Sequence, residues 1–137
     1  MPYELQRYQR LLAESENLAV YHEWEDAFVL FKPTREEMKI GSFYGDPCCA
    51  AIGPDEDWIL IGGEYLRLWK PGKNEEIEGI RWVSDIRVTG RTTAEFLIDP
   101  WCEESAVWEI DVASERLEKL RDFTKYREEP YTEDVEW

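Results

Sequence analysis

Basic residues are scarce in this sequence. Sixteen lysine and arginine residues stand against 31 aspartate and glutamate residues, so the formal net charge is −15. Surfaces that bind nucleic-acid phosphates or anionic membranes need an excess of lysine and arginine. The charge balance therefore argues against DNA, RNA and membranes as partners.

Cysteine is also scarce, and Cys48, Cys49 and Cys102 are the three present. An odd number in a chain of 137 residues is not the disulfide framework of a small secreted protein. Neighbouring side chains of a strand point to opposite faces, so Cys48 and Cys49 are not expected to act together on one ligand. No signal peptide is visible, and no apolar run approaches the length of a membrane span. These absences predict a cytoplasmic protein.

Catalytic and metal-binding signatures are missing as well. His22 is the one histidine, no cysteine or histidine pair has the spacing of a zinc site, and Gly62-Gly63 lacks the continuation of a phosphate loop. A triad of Cys102, His22 and an acid is arithmetically possible, but no spacing supports it. Close carboxylate pairs are expected by chance among 31 acids, so they do not indicate a glycosidase. We expect no catalytic residue, no metal and no cofactor.

What is present describes a folded chain, which we predict to be a single domain over residues 1–137. Apolar residues make up 43% and aromatic residues 14%, which is enough to form a core despite the charge. A helix is predicted over residues 3–14, with Pro2 suited to the first turn. It rests on apolar residues at helical spacing, namely Leu5, Tyr8, Leu11 and Leu12.

From residue 18 onward the pattern is that of short strands. Residues 18–21 and 27–31 flank the acidic turn 23–26 and predict a hairpin, and residues 58–61 and 65–69 predict another across Gly62-Gly63-Glu64. Alternation places Trp82 and Trp108 on apolar faces, as core residues. Residues 114–126 fit either a helix capped by Ser114 or the return strand of a hairpin. The regular hairpins before them favour the strand.

The predicted fold is therefore mainly β, a β-rich α+β class. We expect an antiparallel sheet or a β-sandwich of short hairpins with an N-terminal helix. Propeller blades are the alternative for so many short strands. The chain has room for only about three blades of roughly 40–45 residues, whereas closed propellers have at least about four. A sandwich or one strongly curved sheet is thus the preferred expectation.

The acidic residues are concentrated in three tracts without lysine or arginine, at residues 14–26, 92–115 and 128–137. A basic segment, residues 116–127, separates the last two. A well-solvated surface is one explanation. This much like charge repels itself in the compact state, however, which favours tracts arranged to meet a basic partner.

Aromatic residues accompany the acidic tracts, at Trp24, Trp101, Tyr131 and Trp137. Aromatic side chains with a charged border are typical anchors of protein interfaces. Docking of turns and tail onto the sheet is the alternative explanation. The predicted partner-binding residues are Glu103, Glu104, Trp101, Glu23, Glu25, Asp26, Trp24, Glu133, Asp134 and Glu136.

Two segments resemble the sequences of bacterial immunity proteins. They are Asp57-Trp58 to Leu68-Trp69, and Asp99-Pro100-Trp101 to Trp108-Glu109-Ile110-Asp111. Such proteins belong to contact-dependent and other polymorphic toxin systems. The resemblance implies a non-enzymatic protein that binds one cognate toxin domain, often a basic nuclease, and blocks its active site. Two other functions stay open. One is a structural or adaptor domain of a larger assembly, and the other is a small ligand-binding or enzymatic β domain with a pocket lined by tryptophan and carboxylates.

Overall fold

A computed structural model describes residues 4–137. Within them every regular element is a β-strand, and none of the described residues forms a helix long and apolar enough to cross a bilayer. The strands are β1 (Gln9–Glu14), β2 (Leu18–Glu23), β3 (Asp26–Phe31), β4 (Glu36–Ser42), β5 (Cys49–Ile52), β6 (Ile59–Gly62), β7 (Tyr65–Lys70), β8 (Lys73–Arg81), β9 (Val83–Val88), β10 (Thr93–Ile98), β11 (Ala106–Asp111) and β12 (Arg116–Asp122).

The predicted N-terminal helix is wrong over the described residues. Pro2 and Tyr3 lie outside them, and residues 9–14 form β1, which pairs antiparallel with β2. The register of that pair shifts between Leu11 and Ala13. A bulge of this kind adds a residue and interrupts the two-residue alternation. Adjacent apolar residues at Leu11 and Leu12 then imitate a helical pattern.

The twelve strands form three antiparallel sheets in chain order. Sheet 1 holds β1 to β4, sheet 2 holds β5 to β8 and sheet 3 holds β9 to β12, and each strand pairs with the next one along the chain. Each sheet is thus a four-stranded meander, which is the unit of a propeller blade. The β-rich expectation is confirmed, but three blade-like sheets take the place of the expected single sheet or two-sheet sandwich.

The sheets stack face to face in sequence order. Apolar side chains from sheets 1 and 2, such as Val20, Val29 and Ile61, share one buried cluster. Side chains from sheets 2 and 3, such as Leu60 and Phe96, share a second. Alternation along β6 explains this division, because odd residues face sheet 1 and even residues face sheet 3. Sheet 2 is therefore buried on both faces.

The outward face of sheet 3 is covered by the chain itself. Leu97, Val107 and Phe123 form a small cluster there, and Val135 and Trp137 pack against it. On the outward face of sheet 1, Leu5 packs in the same way against a cluster that contains Tyr21. Segments near both ends of the described chain thus cover the two faces on which no further sheet stacks.

Several local predictions are confirmed. The two predicted hairpins are β2–β3 and β6–β7. Strand β12 lies within the ambiguous residues 114–126, so the strand interpretation is correct. A register shift between Val107 and Trp108 interrupts its pairing with β11, and consequently Leu117 packs toward sheet 2 while Phe123 packs on the opposite face. Simple alternation would have put both on one face.

Candidate functional site

Several strand connections meet at one end of the three sheets, joined by hydrogen bonds between backbone groups. The amide of Phe43 donates to the carbonyl of Glu25 at 2.8 Å, and the amide of Trp82 donates to the carbonyl of Glu64 at 2.8 Å. The amide of Asp99 then donates to the carbonyl of Trp82 at 2.9 Å. The last two bonds join sheets 2 and 3, and the stacked rings of Phe43 and Tyr65, with centroids 4.3 Å apart, join sheet 1 to sheet 2. We name this end the aromatic rim and define it by residues 23–26, 43–48, 63–64, 81–82 and 99–105.

Exposed aromatic side chains collect at the aromatic rim. Trp24 is 68%, Tyr44 80% and Trp82 55% exposed, and all three belong to its connections. Tyr131 is 74% exposed and lies against the rim residue Trp101, with ring centroids 5.1 Å apart. Tyr8, the remaining exposed large aromatic within residues 4–137, borders a cavity together with Trp24. The opposite end of the sheets has no comparable aromatic side chain among the described residues.

Two of these tryptophans occupy backbone conformations that disfavour bulky side chains. Trp24 has φ 52° in the β2–β3 turn, and Trp82 has φ 59° between β8 and β9. The left-handed region costs an L-residue about 1–2 kcal/mol relative to the right-handed one, a cost that glycine avoids. Trp82 is therefore an exposed turn residue, and its predicted place in the core is wrong. Trp108, in contrast, packs against the cluster between sheets 2 and 3.

The first acidic tract brings Glu23, Glu25 and Asp26 to the aromatic rim. Glu25 accepts a hydrogen bond from the amide of Gly45 at 2.6 Å, and Glu23 accepts one from the Gln9 side chain at 2.5 Å. The hydroxyl of Ser42, and to a lesser extent the ammonium of Lys39, lower the pKa of Asp26. These carboxylates therefore hold the Trp24 turn against neighbouring strands.

The second acidic tract contributes Glu103 and Glu104, in the loop between β10 and β11. Both side chains are exposed, and no ion pair involves either of them within residues 4–137. Arg127 donates only to the backbone carbonyl of Glu103, at 2.6 Å. Asp46, in the β4–β5 connection, is likewise exposed and without an ion pair in the described chain. The aromatic rim thus carries carboxylates that form no ion pair within residues 4–137, although the guanidinium of Arg127 lies beside the backbone of Glu103.

Trp101 lies in the same loop but is half-buried. The rings of Tyr126 and Tyr131 lie over it, with centroid distances of 5.9 and 5.1 Å. Its indole nitrogen is buried and has no hydrogen-bond partner among the described residues. Trp101 therefore anchors the C-terminal segment on the aromatic rim.

The C-terminal acidic tract is docked on sheet 3. The guanidinium of Arg87 lies 3.9 Å from the ring centroid of Trp137, and the indole of Trp137 donates to Asp85 at 2.8 Å. Glu136 forms an ion pair with Lys125 at 3.3 Å. The exposed side chains of Glu133 and Asp134 lie in the same segment. Trp101 and Trp137 therefore pack within the protein, as the alternative explanation of docking onto the sheet predicts. Trp24 and Tyr131, in contrast, are exposed.

A cavity of about 710 Å³ opens at the aromatic rim between sheets 2 and 3. Trp82 and Trp108 supply aromatic walls, and Asp99 and Glu104 supply carboxylates. The cationic wall residue Arg81 is already paired with Glu64 at 2.5 Å. Cavities of this size, with apolar walls and few polar groups, are typical of small-ligand sites. Here the two carboxylates outnumber the single cationic side chain.

His22 has a structural contact. Its Nδ1 lies 2.9 Å from the carbonyl oxygen of Trp24, and the ring is buried beneath the β2–β3 turn. A smaller cavity of about 310 Å³ adjoins it, bordered by Arg7, Tyr8 and Arg10 among others. In the part of the chain that the structure describes, no three histidine, cysteine or acidic side chains are grouped as metal ligands.

Sequence reasoning missed Tyr44 and Trp82 as rim residues. Tyr44 precedes Gly45-Asp46-Pro47, a turn signature that marks exposed connections. Trp82 follows an apolar alternation that ends with β8, and nothing in the local sequence marks its positive φ. The turn signature could have identified Tyr44, but Trp82 required the structure.

Comparison with known proteins gives a likeness of fold alone. No family model matches the sequence, and no curated protein matches it significantly. Among solved structures, the chain is similar to the hydrazine synthase of Kuenenia stuttgartiensis, with a TM-score of 0.59 and 16% identity over 77% of this chain and 32% of that one. The tricorn protease is a more distant match, with a TM-score of 0.39 and 14% identity over 77% of this chain and 12% of the other. The chain thus spans about a third of the hydrazine synthase chain it resembles.

Proposed function

We propose that this protein is a non-enzymatic binding module that captures a basic protein partner on the aromatic rim. The observation that supports this most directly is the gathering of the exposed aromatic side chains at one end, beside carboxylates without ion pairs. Interface centres are enriched in tryptophan and tyrosine, and polar groups border them. The net charge of −15 would accelerate encounter with a basic partner.

The backbone at Trp24 and Trp82 supports the same proposal. Both exposed side chains sit where glycine would avoid strain, with φ of 52° and 59°. Positive φ also occurs at the opposite end of the sheets, at Arg35, Glu56 and Glu115, but those positions carry no aromatic side chain. A binding role gives a reason for tryptophan at these two turns that stability does not give.

In its more specific form, the proposed partner is a toxin domain and the protein acts as its immunity protein. A nuclease toxin presents a basic groove to nucleic-acid phosphates. Glu103, Glu104 and Asp46 would occupy such a groove in place of phosphate, and Trp24 and Trp82 would anchor the contact. Because nucleic acid and inhibitor then compete for one surface, binding would block the active site.

Co-expression with the C-terminal domain of whatever large protein the neighbouring gene encodes tests the immunity form. Rescue of growth together with co-purification would support it. A neighbouring domain that stays toxic and does not co-purify would count against it. A titration of the purified proteins then gives the affinity and its dependence on salt.

Charge reversal tests the position of the interface. E103K/E104K should weaken binding at low salt at least about tenfold, or ~1.4 kcal/mol, and the loss should shrink as salt is added. The matched control is E16K/E36K, which makes the same change of net charge at exposed positions at the opposite end of the sheets. Equal losses for the two variants would show that net charge, rather than the aromatic rim, determines binding.

A small cationic ligand is the second candidate, and the cavity between sheets 2 and 3 favours it. Tryptophan faces and carboxylates attract ammonium groups by cation–π and charge interactions. Choline titrated into the protein would quench tryptophan fluorescence if the cavity binds such a group. W108A should abolish the quench, whereas W24A, outside the cavity, should preserve it.

A further inference from the structure

Two neighbouring thiols lie within contact distance beside the seam between sheets 2 and 3. The Sγ atoms of Cys48 and Cys49 are 3.8 Å apart, although opposite faces were predicted for them. The prediction fails because β5 begins at Cys49, so Cys48, directly after Pro47, is not part of the strand. The Sγ atom of Cys48 also contacts the carbonyl oxygen of Val83 at 3.0 Å.

The two thiols differ in accessibility and in acidity. Cys48 is exposed, whereas Cys49 is buried. The side-chain hydrogen bond between Cys48 and Cys49 lowers the pKa of the Cys48 thiol, against the opposing effects of burial and of Asp85. The same contact, together with burial, raises the pKa of Cys49. Cysteines that respond to oxidants are typically accessible, acidic and next to a second cysteine.

We propose that Cys48 and Cys49 form a reversible oxidation site for hydroperoxides. The Cys48 thiolate attacks the peroxide, which forms a sulfenic acid on Cys48 and releases hydroxide. The Cys49 thiol then attacks that sulfur, so the S–S bond forms as the S–O bond breaks and water leaves. Overall, two thiols lose two electrons and two protons, and one hydrogen peroxide becomes two waters.

Chain geometry makes this disulfide readily reducible. Adjacent Cα atoms are about 3.8 Å apart across a trans peptide, whereas most disulfides span about 4.4–6.8 Å. A bond closed over the shorter separation is strained, and strained disulfides are the labile ones. The modification should therefore reverse under mild thiol reductants.

Peptide mapping of the full-length protein tests the proposal. The tryptic peptide 40–67 contains Cys48 and Cys49 but not Cys102, which lies in peptide 92–116. After stoichiometric hydrogen peroxide, peptide 40–67 should lose the mass of two hydrogen atoms and resist alkylation, and dithiothreitol should restore both thiols. In peptide 92–116, Cys102 should still react fully with the alkylating reagent after peroxide treatment, because burial raises the pKa of its thiol.

Two variants identify the roles of the thiols. C49A should accumulate a sulfenic acid on Cys48 that dimedone traps, while C48A should leave Cys49 unmodified. C102A, the matched control, should behave as the wild type. Sulfinic acid on Cys48 with Cys49 still alkylatable in the wild-type protein would overturn the proposal, and so would a disulfide from Cys48 to any other cysteine. Because these two results come from the wild-type chain, they hold even if a variant fails to fold.

Discussion

Gly62 provides the sharpest test of how sheets 2 and 3 pack. It ends β6 and pairs with Cys49 on one side and Leu66 on the other. A Cβ atom placed on it would lie 2.6 Å from Cγ1 of Val83 and 2.7 Å from Sγ of Cys49. Optimal separations between such atoms are about 3.5–4.0 Å. Gly62→Ala therefore forces the seam between the sheets to open.

The expected loss of unfolding free energy depends on how far the side chains next to Gly62 can move. Val83 is β-branched and restricted in rotamer, and its amide is held by the carbonyl of Gly63 at 2.8 Å. Overpacking of a core costs about 1–3 kcal/mol, and this rigidity places Gly62→Ala at roughly 2–3 kcal/mol. With an unfolding entropy of about 2.1 cal/mol/K per residue, the melting temperature should fall by about 7–10 °C.

The assay is urea unfolding of a double-mutant cycle with Val83→Ala. Removing Cγ1 relieves part of the clash, so the double variant should be more stable than the sum of the single effects by about 1 kcal/mol. Gly72→Ala is the control. Its φ of 80° makes alanine costly there, but nothing lies within 4 Å of the added atom, so it should not couple to Val83→Ala. Additivity of Gly62→Ala and Val83→Ala would refute the packing argument.

Two further predictions concern charge and the C-terminal segment. A side-chain hydrogen bond with Glu75, and those donated by the ammonium groups of Lys73 and Lys70, lower the pKa of Glu115 to about 2, below the usual value of about 4.3. The carboxylate therefore stabilises the fold above about pH 4.3. Glu115→Gln should be less stable than the wild type at pH 7, with a difference that disappears toward pH 2 in pH-dependent thermal melts. Trp137→Ala removes the bond to Asp85 and should lower the unfolding free energy by roughly 2–3 kcal/mol in urea titrations, whereas an unchanged midpoint would show that the segment is not docked.

The sequence contains most of the strands but not their grouping into sheets. Hairpin turns such as the one at Trp24 are local, so composition and alternation identify them. The stacking of the sheets depends on which face of β6 packs against sheet 1 and which against sheet 3. Because Ile59 to Ile61 form one continuous apolar run, the sequence does not distinguish these two faces. Bulges were the other difficulty, because the one next to Leu11 removed the alternation on which a strand prediction depends.

The candidate site was predictable in part for the same reason. Acidic residues such as Glu103 and Glu104 lie in a turn-rich segment, so their exposure follows from local sequence. The burial of Trp101 under Tyr131 follows from a contact across 30 positions in the numbering, which no local pattern reports. The prediction for Trp82 is wrong because Trp82 itself has a positive φ. This conformation interrupts the alternation of side chains between β8 and β9.

The burial of sheet 2 on both faces implies an uneven resistance to local opening. Sheets 1 and 3 each meet one neighbouring sheet, so either can separate while the other two stay packed, as terminal units do in repeat proteins. Amide hydrogens of β6 and β7 should therefore exchange with solvent most slowly, near the rate set by global unfolding. Amides of β4 and β12, the outermost strands of the flanking sheets, should exchange by smaller fluctuations. The aromatic rim joins all three sheets at one end, so a partner bound across it would slow exchange in the flanking sheets more than in the central one.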